Sequence, residues 1–402
     1  MLPRSALTLA LLGLAATALS ATMVTNPATP TGGVDTLTLQ PMWRHGGLDD
    51  EQAFLGVINS AAVGPHGEVY LADSQLMTVH VVSPDGELLE SLGRQGEGPG
   101  EVTRLGGVLP MPDGTVGLVQ LMPGQVVKVE AGGGPAGTLI PLWPEEGGRI
   151  MLQELREAGG HLVASGRRMT RGEQGPMIVQ WIAGLAPDGA LTRFYYRHET
   201  GRNFASGIIR ESDTDWPGEG RWTVTSDGEV IIAPERTEYR LDVVGIHGVE
   251  RSFGREFVTR RRTAQEKATI EGRFNRFRRG RHGGRPGGIT VEVMPDAADI
   301  EALFPRPGGE IWVHHSRSHL DQPAGVMLTY DVFDAEGNFT RQLAVECEGV
   351  APRDLLVPLS DGSFVLIIGH ADALAAMRGV ENNDAEADND IVLEVVGLKP
   401  AP

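Results

Sequence analysis

The sequence predicts an all-β fold: six four-stranded antiparallel sheets set around an axis, with one helical insertion between the fourth and the fifth. Three observations predict it. Glycine and proline number 54 and 26 among 402 residues, yet 41% of the chain is hydrophobic. Disorder does not combine with that much apolar matter, even at a net charge of −18, so the glycines read as tight turns between short strands. Turn signals of the Asp-Gly and Gly-Gly kind recur along the whole chain, each followed by an apolar run with the two-residue period of a strand.

In chain order, residues 1–21 read as a cleavable export signal. Arg4 supplies the positive start, "ALTLALLGLAATAL" (Ala6 to Leu19) the apolar stretch, and Ala18, Ser20 and Ala21 a cleavage site. No cysteine follows for lipidation, and no later run approaches the ~18 apolar residues of a membrane span. The expected location is periplasmic or secreted. Residues 22–33 read as a flexible linker. The strand "VDTLTLQPMW" (Val34 to Trp43) is then free to supply the outer strand of the last sheet and close the ring without an open edge.

The repeats follow. "GPHGEVYLAD" (Gly64 to Asp73), "MPDGTVGLVQ" (Met111 to Gln120), "EAGGHLVASG" (Glu157 to Gly166), "TSDGEVIIAP" (Thr225 to Pro234), "RPGGEIWVHH" (Arg306 to His315) and "LSDGSFVLII" (Leu359 to Ile368) align on the turn glycine. Val69/Leu71, Val116/Leu118, Leu162/Ala164, Val230/Ile232, Ile311/Val313 and Phe364/Leu366 fall at the second and fourth following positions. Intervening residues such as Tyr70, Ile231, Trp312 and Val365 are apolar too, as in a strand packed on both faces. A second turn, "SPDGELL", "APDGALT", "GIHGVER" or "DAEGNFT", comes about twenty positions later, room for two strands and a loop. Each unit is therefore a four-stranded meander of about 40 to 45 residues. One such sheet cannot hide both faces from water; six stacked around an axis can, which is a β-propeller of a single domain over residues 34–398.

"GEVYLADSQLMTVHVVSPDGELLESLGRQGEGPGE" (Gly67 to Glu101) resembles one NHL-type repeat: a strand ending in Ala-Asp, a loop, a strand ending in Pro-Asp-Gly, and an outer strand running into Gly-Arg. Its continuation resembles the bacterial exported six-bladed propellers of that broad family. The motif covers about 35 residues, and the remainder keeps only its turn-and-strand skeleton. The resemblance implies the fold; the family's functions run from ligand and protein binding to lyase and lactonase chemistry, so it assigns no activity.

Candidate site residues gather in the loops opposite the tight turns. Asp73 ends a strand, while Arg94, Glu97 and Glu101 lie in the crossing "LGRQGEGPGEV". That crossing lacks the Lys-Ser/Thr pair and following helix of a phosphate loop, so its acids and arginine read as ligand-facing groups or as a salt-bridged corner. His314, His315 and His319 stand beside Arg317. Imidazoles suit a metal or an anion, yet adjacent strand residues point to opposite faces, which separates His314 from His315. Of this group His315, Arg317 and His319 are the candidate ligand-binding residues.

"ENNDAEADNDI" (Glu381 to Ile391) alternates acids but lacks the turn glycine of a calcium loop, and reads as a cation site or as a solvated hairpin. No cofactor is expected; calcium or zinc are the ions such groups would suit. Cys347, the one cysteine, has acidic neighbours and reads as structural.

Residues Arg251 to Pro286 carry twelve Lys or Arg and three Glu. "TAQEKATIEGRFNRFRRG" (Thr263 to Gly280) reads as a helix with a Thr263/Glu266 capping box, an apolar stripe of Ile270, Phe274 and Phe277, and a basic flank of Arg273, Arg276 and Arg279. That flank would dock an unknown protein or an anionic ligand, or else neutralise the acidic body. Nucleic acid does not suit an exported chain of this acidity. No nucleophile motif is present. The reading is a monomeric, exported, non-catalytic propeller that binds a ligand or protein through its loop face. The alternative is a lactonase-like hydrolase or lyase with a metal-assisted site at the channel mouth.

Overall fold

A computed structural model describes residues 22–47, 54–145, 148–172, 175–201, 207–281, 290–377 and 393–402, without the side chains of 276–281. The export signal and the acidic stretch 381–391 lie outside the described residues.

The described chain opens with β1 (Thr22–Asn26) and β2 (Val34–Gly46). A first meander comprises β3 (Ile58–Val63), β4 (Val69–Asp73), β5 (Thr78–Val82) and β6 (Leu88–Leu92). The second is β7 (Leu105–Pro110), β8 (Val116–Gln120), β9 (Gln125–Val129) and β10 (Pro135–Leu139). The third is β11 (Arg149–Ala158), β12 (His161–Gly172), β13 (Gly175–Leu185) and β14 (Leu191–Gly201). After β15 (Ile208–Arg210) comes a fourth: β16 (Trp222–Val224), β17 (Val230–Ile232), β18 (Arg240–Gly245) and β19 (Gly248–Arg255). Helix α1 (Ala264–Arg281) and β20 (Thr290–Glu292) precede β21 (Ile300–Pro305), β22 (Ile311–His315), β23 (Val326–Phe333) and β24 (Phe339–Glu346). The last group is β25 (Leu355–Pro358), β26 (Phe364–Ile368), helix α2 (His370–Met377) and β27 (Glu394–Pro400).

Hydrogen bonding makes three separate four-stranded sheets, a five-stranded one in which β1 adds to β19, a β15–β20 pair, and an eight-stranded sheet in the order β21-β22-β23-β24-β2-β27-β26-β25. The arrangement of the sheets is propeller-like. Its cause is visible in the second strand of each meander. Val69 and Leu71 pack in the cluster shared with β26 and β27, while Tyr70 and Ala72 pack with β7, β8 and β9. In β17, Val230 and Ile232 face β12 and β13, while Ile231 faces β21 and β22. In β26, Phe364 and Leu366 face β22–β24, and Val365 and Ile367 face β3–β5. The side-chain period of two thus assigns each residue to one of two neighbouring sheets. The cluster around Trp43 joins the last group to the first.

The turns behave as their glycines require. Gly67 and Gly86 sit at φ +84° and +93°, where an L side chain is strained, and donate to Gly64 O and Ser83 O.

β2 is the shared strand. Its first part, Val34 to Thr38, runs parallel to β24, and Leu39 to Gly46 run antiparallel to β27 as the outer strand of that meander. The segment 22–33, expected to be a flexible linker, is instead tied down. β1 runs parallel to the outer strand β19, and Asn26 Nδ2 donates to Gly254 O and Gly337 O at 2.9 Å each. The open edge of β19 offered unmet backbone groups, and an adjoining strand satisfies them. Helix α1 begins where its capping box placed it: Glu266 N donates to Thr263 Oγ1 and Thr263 N to Glu266 Oε2. Helix α2 was not anticipated; it buries Ala373 against the Trp43 cluster.

Candidate functional site

Each meander has a turn end and a loop end. At the turn end the connections are short and locally satisfied; Ser363 N and Oγ, for instance, both donate to Asp361. At the loop end lie the crossings and the longer connections. The third meander reaches furthest there, because β12 has twelve residues where β4 has five. At ~3.3 Å per residue its hairpin rises roughly 20 Å above the shorter strands.

Among the described residues, four inner strands carry a β-bulge at equivalent places toward the loop end: Asn59 in β3, Gly106 in β7 and Glu301 in β21, each the second residue of its strand, and Gln153, the fifth residue of the longer β11. A bulge turns a side chain out of register, and such residues are common beside binding sites. Asn59 Nδ2 donates to Gly106 O at 3.3 Å, linking the first two sheets. Gln153 Nε2 donates to Glu219 Oε1 ahead of β16. Glu301 Oε2 lies 3.3 Å from His314 Nδ1. Burial works to raise the Glu301 carboxyl, but the hydrogen bond with His314 prevails and holds it below the ordinary range. Nearby, burial pushes the His319 imidazole below its usual value, with Glu301 pulling the other way. An ionised carboxylate therefore sits beside imidazoles at this end.

The candidate ligand-binding residues Asp73, Arg94, Glu97, Glu101, His315, Arg317 and His319 fall at the loop end, in separate places. Asp73 is fully buried and accepts backbone N–H groups of Gly56, Val57, Gln75 and Leu76 at 2.6 to 3.1 Å. Burial alone would raise its carboxyl, but bonds from His80 and these amides outweigh it and hold it low. Arg94 pairs with Glu101 at 2.6 Å, and Gly98 N donates to Glu101 Oε2, so the crossing is a salt-bridged corner with Glu97 exposed beside it. Gln120 and His315 occupy the aligned position of Asp73 and also hold loops: Thr103 N donates to Gln120 Oε1, and Arg317 N to His315 Nδ1. His314 and His315 do point apart, the first to Glu301 and the second to Asp331 at 3.5 Å. Arg317 is exposed and donates to Val258 O.

Sequence reasoning missed the seam between the fourth and fifth meanders. An alternating chain of charges, Arg262–Glu211–Arg236–Asp215–Arg221, pins the segment before β16 to the segment before α1. Beside it a cavity of about 250 Å³ opens among Met23, Thr25, Thr237, Tyr239, Phe257 and Asp299. Asp299 is 1% exposed. Its partners come from three separate stretches of chain, so no local pattern announced it.

The basic segment is largely neutralised at its start. Arg251, Arg255, Arg260, Arg261 and Arg262 pair with Glu229, Asp331, Glu266, Asp296 and Glu211. Arg273 is exposed on α1, while the side chains of Arg276 and Arg279 lie outside the described residues. Among the described residues, no group of three or more His, Cys, Asp or Glu could hold a metal ion. Cys347 lies 3.5 Å from Met327 Sδ, and burial pushes its thiol up, as suits a structural residue. No described helix is long and apolar enough to cross a membrane.

No protein-family model matches the chain, and no curated protein matches it. Among solved structures it is similar to a candidate exported protein of Bacteroides fragilis, at 10% identity and TM-score 0.48, covering 95% of this chain and 100% of that one. It is also similar to a gluconolactonase of Xanthomonas campestris, at 11% identity and TM-score 0.45, covering 90% and 89%. Virginiamycin B lyase of Staphylococcus aureus follows at 8% identity and TM-score 0.43, covering 90% and 99%. Likeness at this level assigns the chain no family and no activity.

Proposed function

We propose that the chain is an exported six-bladed β-propeller of NHL-like type that binds a ligand or protein partner through its loop face. Dividing the eight-stranded sheet at β2 gives six meanders, and the six hydrophobic clusters each span one seam between successive meanders. The export reading rests on the composition of residues 1–21. The observation that carries the binding reading is the recurrent bulge at the loop end, which presents Asn59, Gln153 and Glu301 in equivalent places on three inner strands.

Crosslinked co-purification from the native cell envelope tests it. Capture of a partner should fall at least about tenfold for a Gln153→Ala/Glu301→Ala chain and stay unchanged for Asp85→Ala/Asp188→Ala at the turn end. Loss confined to the turn-end variant overturns the reading.

One observation favours a second reading, hydrolase or lyase chemistry at the same place. Glu301 holds its charge beside His314, and His319 is biased to its neutral form, a state that accepts a proton. Turnover of ester or lactone substrates that disappears in Glu301→Gln and His319→Ala would establish that reading.

A further inference from the structure

The cavity at the seam of the fourth and fifth meanders is lined by none of the bulged residues. β1 contributes Met23 and Thr25, the β17–β18 connection Thr237, Glu238 and Tyr239, and β19 Arg255, with Phe257 and Asp299 completing the wall. Apart from the exposed hydroxyls of Thr25 and Thr237, the polar side chains there are largely partnered. Tyr239 OH and Arg255 Nε both donate to Asp331 Oδ2 at 2.6 Å. Arg255 Nη1 donates to Ala28 O and Glu256 O, and both Glu238 oxygens accept from Arg240. Asp299 is the exception. Oδ2 accepts from Thr259 Oγ1 at 3.0 Å, but Oδ1 is buried without a hydrogen-bond partner. A buried polar atom left unmet is costly, and in a wall that borders a cavity it marks a place for a donor.

From this geometry we infer that the cavity binds a small neutral hydroxylated molecule of about monosaccharide size, with one hydroxyl on Asp299 Oδ1. Charge selects the class. A cation would meet Arg255, which lines the cavity and acts on Asp299. An anion would meet Asp299 itself with Glu238. A hydroxyl suits either state of the carboxyl, because it can donate or accept. Burial pushes the Asp299 carboxyl up. Thr25 and Thr237 at the exposed rim offer further hydroxyl contacts. Size is adequate: a cavity of ~150 Å³ admits benzene, and this one, at about 250 Å³, leaves room for a six-membered ring with its substituents.

The test compares D-glucose, D-galactose and myo-inositol with two charged analogues of similar size, D-glucosamine and D-glucuronate. Ligand-observed NMR and thermal shift on the full chain are the readouts. At least one neutral probe should bind saturably in the millimolar range and more tightly than both charged ones. Asp299→Ala should weaken it about tenfold, the value of one hydrogen bond to a charged group. Thr237→Trp, on an exposed loop, should block the cavity without disturbing the fold. The inference is overturned if no neutral probe binds, if a charged analogue binds as well, or if both variants retain full affinity. Failure of partner capture by the bulged strands would leave these outcomes unaffected.

Discussion

Asp331 is fully buried on β23 and ionised. Burial opposes its charge, but His315, Arg255 and Tyr239 outweigh that effect and hold the carboxyl at about 2, below its ordinary 3.8. Gln342 Nε2 adds a third hydrogen-bond donor at 2.9 Å, after Tyr239 OH and Arg255 Nε. His315 Nδ1 accepts from Arg317 N, which leaves Nε2 facing Asp331 Oδ1 at 3.5 Å. A depressed folded value means that the stabilisation is complete above the unfolded value and is lost as pH falls through the folded one. Asp331 therefore contributes about 2 kcal/mol that disappears between roughly pH 4 and pH 2. Urea midpoints measured across that range should fall steeply for the wild type. Asp331→Asn should remove this component and cost roughly 3–5 kcal/mol at neutral pH, because Arg255 keeps a buried charge with no counterion. An acid limb that persists unchanged in Asp331→Asn would refute the assignment.

Among the elements, β2 packs exactingly against β27. Trp43 on its second half is buried in the cluster that joins β27 to β3 and β4. A Cβ on Gly397 of β27 would lie 2.1 Å from Trp43 Cε2, so the strand and the indole leave space only for glycine. Gly397→Ala should cost roughly 1–3 kcal/mol by overpacking. Trp43→Ala should cost roughly 3–5 kcal/mol through the cavity it leaves. In the Trp43→Ala background, however, Gly397→Ala should cost almost nothing. Denaturation of the four chains of this double-mutant cycle measures that coupling, and additive costs would contradict the packing account.

Much at this scale was legible. Turn glycines and the period of two marked the second strands, and "VDTLTLQPMW" was read as an outer strand. What stayed hidden was tertiary. Glu301 and Gln153 are bulged by register against a neighbouring strand, β1 became a strand because β19 had an open edge, and Asp299 gains its meaning from Thr259 and the cavity. The basic run Arg251 to Arg262 showed its charge in the sequence but not the five carboxylates that meet it.

At the scale of the whole molecule, the chain leaves three outer strands at sheet edges and covers two. β6 is only five residues long, β10 begins at Pro135 with an irregular register, and β14 is rich in charged residues, all features that discourage pairing with another chain. β19 is covered by β1, and β24 and β27 share β2. The two coverings differ in weight. β1 adds five parallel partners to an otherwise complete meander, whereas β2 supplies Leu39 and Trp43 to two separate core clusters and fills the gap between β24 and β27. Contacts in a stacked-sheet protein pass between neighbours, so opening one seam exposes two apolar faces at once. A chain beginning at Thr31 should therefore unfold in one transition, with a modest loss of stability, though with the β19 edge uncovered. A chain beginning at Gly47 loses both clusters' closing residues and two strand edges, and should forfeit more than about 5 kcal/mol, the scale of a domain's whole stability. Size-exclusion chromatography with light scattering and urea melts on both chains distinguish these outcomes. A monomeric, cooperatively folded chain lacking β2 would show that the seam closes by some route other than this strand.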